Sequence, residues 1–235
     1  MGFPYRTKVE DRVYTTNEAP LHEQIDFHHE MSLMKVWPSK LFFFCETAPP
    51  EGGQTAIALS RRIVQRMEYR MPEFVTRLKD VGLVFKITTP TEISRTSFIA
   101  KNWQSALETK DPREAKKRAV EMMGCSSFEC YEDGSAEFVF GPMEAIRAFE
   151  GYGGRQVWFN NIVGYGGKNR NQSLSLGDGC GIPGEALDAF KAILNEECVD
   201  LKWEEGDVLL LDNMAVQHAR RPSKPPRRIL IAMCK

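Results

Sequence analysis

Phe27-His28-His29-Glu30 constrains this chain more than any other stretch, because it sets two metal-ligand side chains at alternate positions. In extended chain successive side chains face opposite ways. His28 and Glu30 then reach one ion together, and His29 turns to the other face. A third ligand of the right chemistry, His218, lies at the far end of the polypeptide in Leu211-Asp212-Asn213-Met214-Ala215-Val216-Gln217-His218. Two histidines and one carboxylate, with further positions left open, form the ligand set that suits non-haem Fe(II). Taken singly each residue says little, since a lone histidine is more often a surface or satisfied core residue. Taken together they require a fold that brings the two ends of the chain to one point.

The order of apolar runs and turns indicates such a fold. Leu41 to Cys45 is a short apolar run between Pro38 and Pro49-Pro50, as in a strand buried on both faces. The turn Glu51-Gly52-Gly53-Gln54 leads to a second strand, Thr55 to Leu59, so the pair is expected as a hairpin. Ser60 is placed to cap a helix with Ile63, Val64, Met67 and Met71 at helical spacing. Pro72 starts another helix, burying Phe74, Val75 and Leu78 and stopping at Gly82. Leu83 to Ile87 returns as strand, and the loop from Thr88 to Lys110 is long enough to be functional. Asp111-Pro112-Arg113-Glu114 has the order of a capping box, with Ala115, Ala119, Met122 and Met123 as its buried stripe. Phe128 to Tyr131 and Ala136 to Phe140, joined through Asp133-Gly134, form the clearest hairpin. A strand at Gln156 to Asn160, a helix from Glu185 to Cys198, a strand after Gly206 that delivers His218, and a last strand running to Met233 complete the pattern. Many short strands with a few covering helices make a mainly β fold of the jelly-roll kind rather than a βαβ one.

Other function classes fall away. The glycines at 151–154 and 164–167 match neither phosphate-binding pattern, since Gly167-Lys168 is followed by Asn169. A net charge of −1 gives no pull towards nucleic acid or an acidic membrane, and no apolar run approaches the ~20 residues of a membrane helix. Six cysteines without CxxC or zinc-finger spacing read as reduced thiols in a cell interior, most simply the cytoplasm. At 235 residues the chain is expected to form one domain over 1–235. The oligomeric state is open.

His28, Glu30, His218, the Gly-Gly-x-Thr turn ending at Thr55 and the terminal Arg227-Arg228-Ile229 together resemble the Fe(II)- and 2-oxoglutarate-dependent dioxygenases of the taurine dioxygenase and clavaminate synthase type, nearest to plant clavaminate synthase-like proteins. The likeness runs over nearly the whole chain and is tightest in 27–59 and 206–235. It implies a double-stranded β-helix and a metal held by His28, Glu30 and His218. It also implies 2-oxoglutarate hydrogen-bonded by Thr55 and paired through its far carboxylate with Arg228, O2 as oxidant, and a small-molecule substrate. A guanidinium suits that pairing because it grips a carboxylate with two parallel hydrogen bonds. Arg227, alternating to the other face, is then expected in solvent. Hydroxylation with release of succinate and CO2 is the implied outcome, and a carboxylate at position 30 argues against a halogenase. Ala232 stands where taurine dioxygenase has its sulfonate-binding arginine, which argues against a sulfonate substrate. Only 27 residues precede His28, fewer than such proteins usually carry, so the domain is expected to be short at its N-terminus. An inactive jelly-roll binding protein that keeps the ligands is the alternative; a zinc hydrolase on the same ligands would leave Arg228 and Thr55 without a task. Trp103 and the 156–170 segment are expected near the substrate.

Overall fold

Short strands and turns dominate the computed structural model, which describes residues 3–94, 99–165 and 171–235. In chain order they are β1 (Lys8–Glu10), β2 (Val13–Thr15), β3 (Ile25–His28), β4 (Lys40–Thr47), β5 (Thr55–Leu59), α1 (Ser60–Arg70), α2 (Pro72–Val81), β6 (Leu83–Thr89), α3 (Trp103–Leu107) and α4 (Pro112–Arg118). There follow β7 (Ser127–Cys130), β8 (Ala136–Met143), β9 (Ile146–Ala148), β10 (Gln156–Trp158), α5 (Ile162–Tyr165), β11 (Gln172–Leu176), α6 (Gly184–Glu197), β12 (Val199–Leu201), β13 (Val208–Asp212), β14 (Val216–Arg220) and β15 (Arg228–Cys234).

Two antiparallel sheets, β1-β2-β15-β4-β13 and β12-β5-β14-β3, form the walls of a jelly roll, and a further sheet, β11-β6-β8-β7, extends the core. Alternation sorts the side chains of the first wall: Leu41, Phe43 and Cys45 of β4 point inward and pack with Leu211, Ile229 and Ile231. The expectation that β4 is buried on both faces is corrected, since Phe42 and Phe44 are 39% and 41% exposed on the outer face. The expected β4–β5 hairpin is also absent. β4 pairs with β13 and β15, whereas β5 crosses to the other sheet and pairs with β12 and β14. The Pro-Pro and Gly-Gly turn moves the chain between walls instead of folding it back. The hairpin of β7 and β8 does form, with Phe128 opposite Phe138.

Helices α1, α2 and α6 cover the larger core, burying Ile63, Met67, Leu78 and Phe190 around Phe85, Phe138 and Trp158. Ser60 makes no cap; its hydroxyl is engaged by His29. Asp111 caps α4 as expected, but a π-helical turn over Ala119–Met123 rotates the stripe so that Met122 is 51% exposed while Met123 is buried. In the loop after β6, Asn102 caps the short α3 and Trp103 packs edge-on against Phe128 in the core, so Trp103 belongs to packing rather than to a substrate wall. Of the segments expected near a substrate or in that loop, 95–98 and 166–170 lie outside the described residues.

Candidate metal centre

Register brings the histidines together. His28, the last residue of β3, is the direct cross-strand partner of His218 in β14, and the two rings lie 4.3 Å apart between centroids. Glu30 follows just past the end of β3, in a turn where Met31 takes φ 58°. Asn213 pins that turn: its Oδ1 accepts from the Glu30 amide at 2.8 Å while its Nδ2 donates to the carbonyls of Glu30 and Pro38. Asn161 does the same one step away, accepting from the His29 amide and the Ser32 hydroxyl. The result is one ligand atom from each of His28, Glu30 and His218, all within 4.8 Å of one another. Among the described residues this is the only such cluster.

The protonation states suit a cation. Burial, with His28, His29 and Arg6 nearby, holds the His218 pKa well below its ordinary value, so the ring is neutral at neutral pH, the form in which an imidazole can bind a cation. Nδ1 of His28 contacts the Asp26 carbonyl at 2.7 Å, which makes it the protonated nitrogen and leaves Nε2 as the donor to a metal. For Glu30, burial pushes the pKa up, but the charge of Arg6 and its hydrogen bond to the carboxylate outweigh it, and the carboxylate stays ionised. His218 Nδ1 is buried without a partner among the described residues. Two imidazoles and one carboxylate fit Fe(II), which residues 28, 30 and 218 would hold. His29 turns to the opposite face as expected, bonded through Nε2 to the Ser60 hydroxyl at 2.8 Å, and burial drives its pKa down to about 3.

The pocket beside this cluster lies between the two sheets, with Phe43 and Ile231 from one wall and His28, Thr55 and His218 from the other. Thr55 lies two residues along β5 from Ile57, the residue opposite His218; it accepts from Trp203 Nε1 at 3.1 Å, and its hydroxyl donates to no acceptor among the described residues. Arg228 is not there. Its side chain is 50% exposed and ion-paired with Glu46 on the outer face of the sheet. Arg227 enters the pocket instead, buried enough to bring its pKa down to about 10, with Nε donating to the Gly53 carbonyl at 3.2 Å. This reverses the expected placement of the two arginines, and the reason is local. Ile231 and Ile229 face inward, and counting back by twos reaches Arg227; an irregularity between Arg228 and Ile229 sets Arg228 opposite Thr47 and within reach of Glu46.

Further pocket residues carry no sequence signal of their own. Arg220, opposite Thr55 in register, donates to the carbonyls of Asn17, Ala19, Pro20 and Glu23 and so ties the N-terminal arm over the pocket. Arg6, from that arm, donates to Glu30 Oε2 at 3.0 Å.

Residues 3–234 match the family model described as Taurine catabolism dioxygenase TauD, TfdA family. The chain is 42% identical over 240 residues to clavaminate synthase-like protein At3g21360 of Arabidopsis thaliana, covering 100% of this chain and 72% of the relative. It is 23% identical over 245 residues to dapdiamide synthesis protein DdaC of Enterobacter agglomerans, covering 97% of this chain and 70% of the relative. Its fold is similar to that of asparagine oxygenase solved with Fe(II), 2S,3S-3-hydroxyasparagine and succinate, at TM-score 0.54 and 13% identity over 94% of this chain. The chain spans 56% of that solved chain.

Proposed function

This chain belongs to the TauD, TfdA family and takes Fe(II), 2-oxoglutarate and O2 as a 2-oxoglutarate-dependent dioxygenase; we propose that it hydroxylates a small-molecule substrate, acting as one domain over 1–235, with the metal on His28, Glu30 and His218. One observation carries this assignment: ligand atoms of three side chains from opposite ends of the chain converge within 4.8 Å, with Glu30 ionised and His218 neutral. When bound, Fe(II) with 2-oxoglutarate and O2 supplies an oxidant able to remove hydrogen from an unactivated C–H bond, releasing succinate and CO2.

The protein's own residues bind, orient and exclude water. Asn213 and Asn161 fix the backbone that presents Glu30. Arg227 takes the far carboxylate of 2-oxoglutarate, because its half-buried guanidinium has only Nε engaged, on the Gly53 carbonyl, among the described residues. Thr55 adds one donor beside it. Phe43 and Ile231 supply apolar walls. Six unpaired cysteines support a reducing, intracellular setting. No helix among the described residues is long and apolar enough to cross a membrane.

Anaerobic titration with Fe(II) and 2-oxoglutarate tests the reading. A weak visible charge-transfer band should appear, and admitting O2 with a substrate panel should release succinate; a folded protein that shows neither refutes it.

A further inference from the structure

We propose that Arg6 is a positioning residue that restricts Glu30 to one metal-binding oxygen, keeping the rest of the metal's faces open for the co-substrate. This rests on the metal assignment made above and goes beyond it, because Arg6 belongs to the N-terminal arm and not to the ligand motif.

The argument starts from the carboxylate. A glutamate has two equivalent oxygens and can bind a cation through one or both. Two-oxygen binding would occupy a position that a chelating keto acid needs, since a facial set of three protein ligands is useful only while the opposite face stays open. In this structure Oε2 of Glu30 is already engaged by the Arg6 Nη2 at 3.0 Å, which leaves Oε1 for a metal.

Arg6 is built into place rather than swung in from solvent. Its side chain is 15% exposed, and Nη1 donates to Met233 Sδ at 3.4 Å at the end of β15. Three residues upstream Phe3 is buried, edge-on to Phe138 at 5.1 Å and Phe140 at 6.3 Å, while its carbonyl accepts from the Ala100 and Lys101 amides. On the other side β2 pairs with β15, so the arm is fixed both before and after Arg6. The other end of Glu30 is held equally firmly by Asn213. Arg227 immediately precedes β15 and Met233 lies next to its last residue, six residues or about 20 Å further along the chain. Arg6 therefore serves the ligand end of the pocket and Arg227 the other.

A guanidinium beside the site both keeps Glu30 ionised and repels a cation, so metal affinity alone does not discriminate. The informative quantity is co-substrate affinity measured on the metal-loaded protein. Co(II) and then 2-oxoglutarate are titrated by calorimetry and visible absorption into the full-length wild type, Arg6→Gln and Arg6→Lys, with thermal unfolding recorded for each. Arg6→Met replaces the glutamine variant should the latter not fold. The glutamine or methionine variant should bind Co(II) no more weakly than wild type and lose about tenfold in 2-oxoglutarate affinity, while lysine, which keeps a charged donor, restores most of it. Equal 2-oxoglutarate affinity in all variants overturns the proposal, as does a loss that falls on Co(II) and 2-oxoglutarate alike. Wild-type protein that binds neither probe refutes the metal assignment itself, so the two failures are distinguishable.

Discussion

Replacing Arg227 or Arg228 by leucine, one at a time, separates what the fold says from what the motif says. Arg227 is half-buried in the pocket, with Nε on the Gly53 carbonyl and its terminal nitrogens without a partner among the described residues. A charge-assisted hydrogen bond in such a place contributes about 1.5–3 kcal/mol, and removing it also leaves the ligand carboxylate desolvated without a partner. Counting one such bond, Arg227→Leu should weaken 2-oxoglutarate binding roughly 10- to 150-fold. Arg228 is half exposed and paired with Glu46 at the surface. Solvent screens that pair to about 0–1 kcal/mol of stability, so Arg228→Leu should shift the unfolding midpoint slightly and change 2-oxoglutarate affinity by less than about threefold. The assay is the visible band of the anaerobic Fe(II) complex titrated with 2-oxoglutarate, with circular dichroism to show that each variant is folded. If the Arg228 variant loses the larger share of affinity, the inward assignment of Arg227 is refuted.

Three more perturbations have definite outcomes. His218→Ala should abolish the visible band while far-ultraviolet circular dichroism stays unchanged; a band of wild-type intensity would remove His218 from the ligand set. Asn213→Ala strips partners from the Glu30 amide and from the Glu30 and Pro38 carbonyls, at about 1–3 kcal/mol for each buried group left unpaired, so both the melting temperature and metal affinity should fall. In the metal-free protein, His29 has its pKa lowered from 6.5 to about 3, so between those values the unfolded chain holds a proton that the folded chain does not. Stability should therefore rise with pH across that window and fall on acidification by about 1.4 kcal/mol per pH unit for this group, with His218 adding in the same direction. Urea midpoints at pH 7 and pH 5 check this, and His29→Gln should flatten the slope.

Local pattern in the sequence determined the candidate ligand set and the strand content. His28 and Glu30 at alternate positions, a distant His218, and runs such as Leu41 to Cys45 depend only on residue type and a period of two, which any reading of the chain recovers. Cross-strand pairing is not local, and it decided the rest. Whether β4 folds back on β5 or crosses to β15, which of Arg227 and Arg228 faces inward past the irregularity at β15, and that Ser60 serves His29 instead of its own helix all depend on register between segments far apart in sequence. Arg6 shows the limit most clearly. Nothing around it in the sequence marks it as special, and only the docking of the N-terminal arm, with Phe3 buried against Phe138, sets its guanidinium on Glu30.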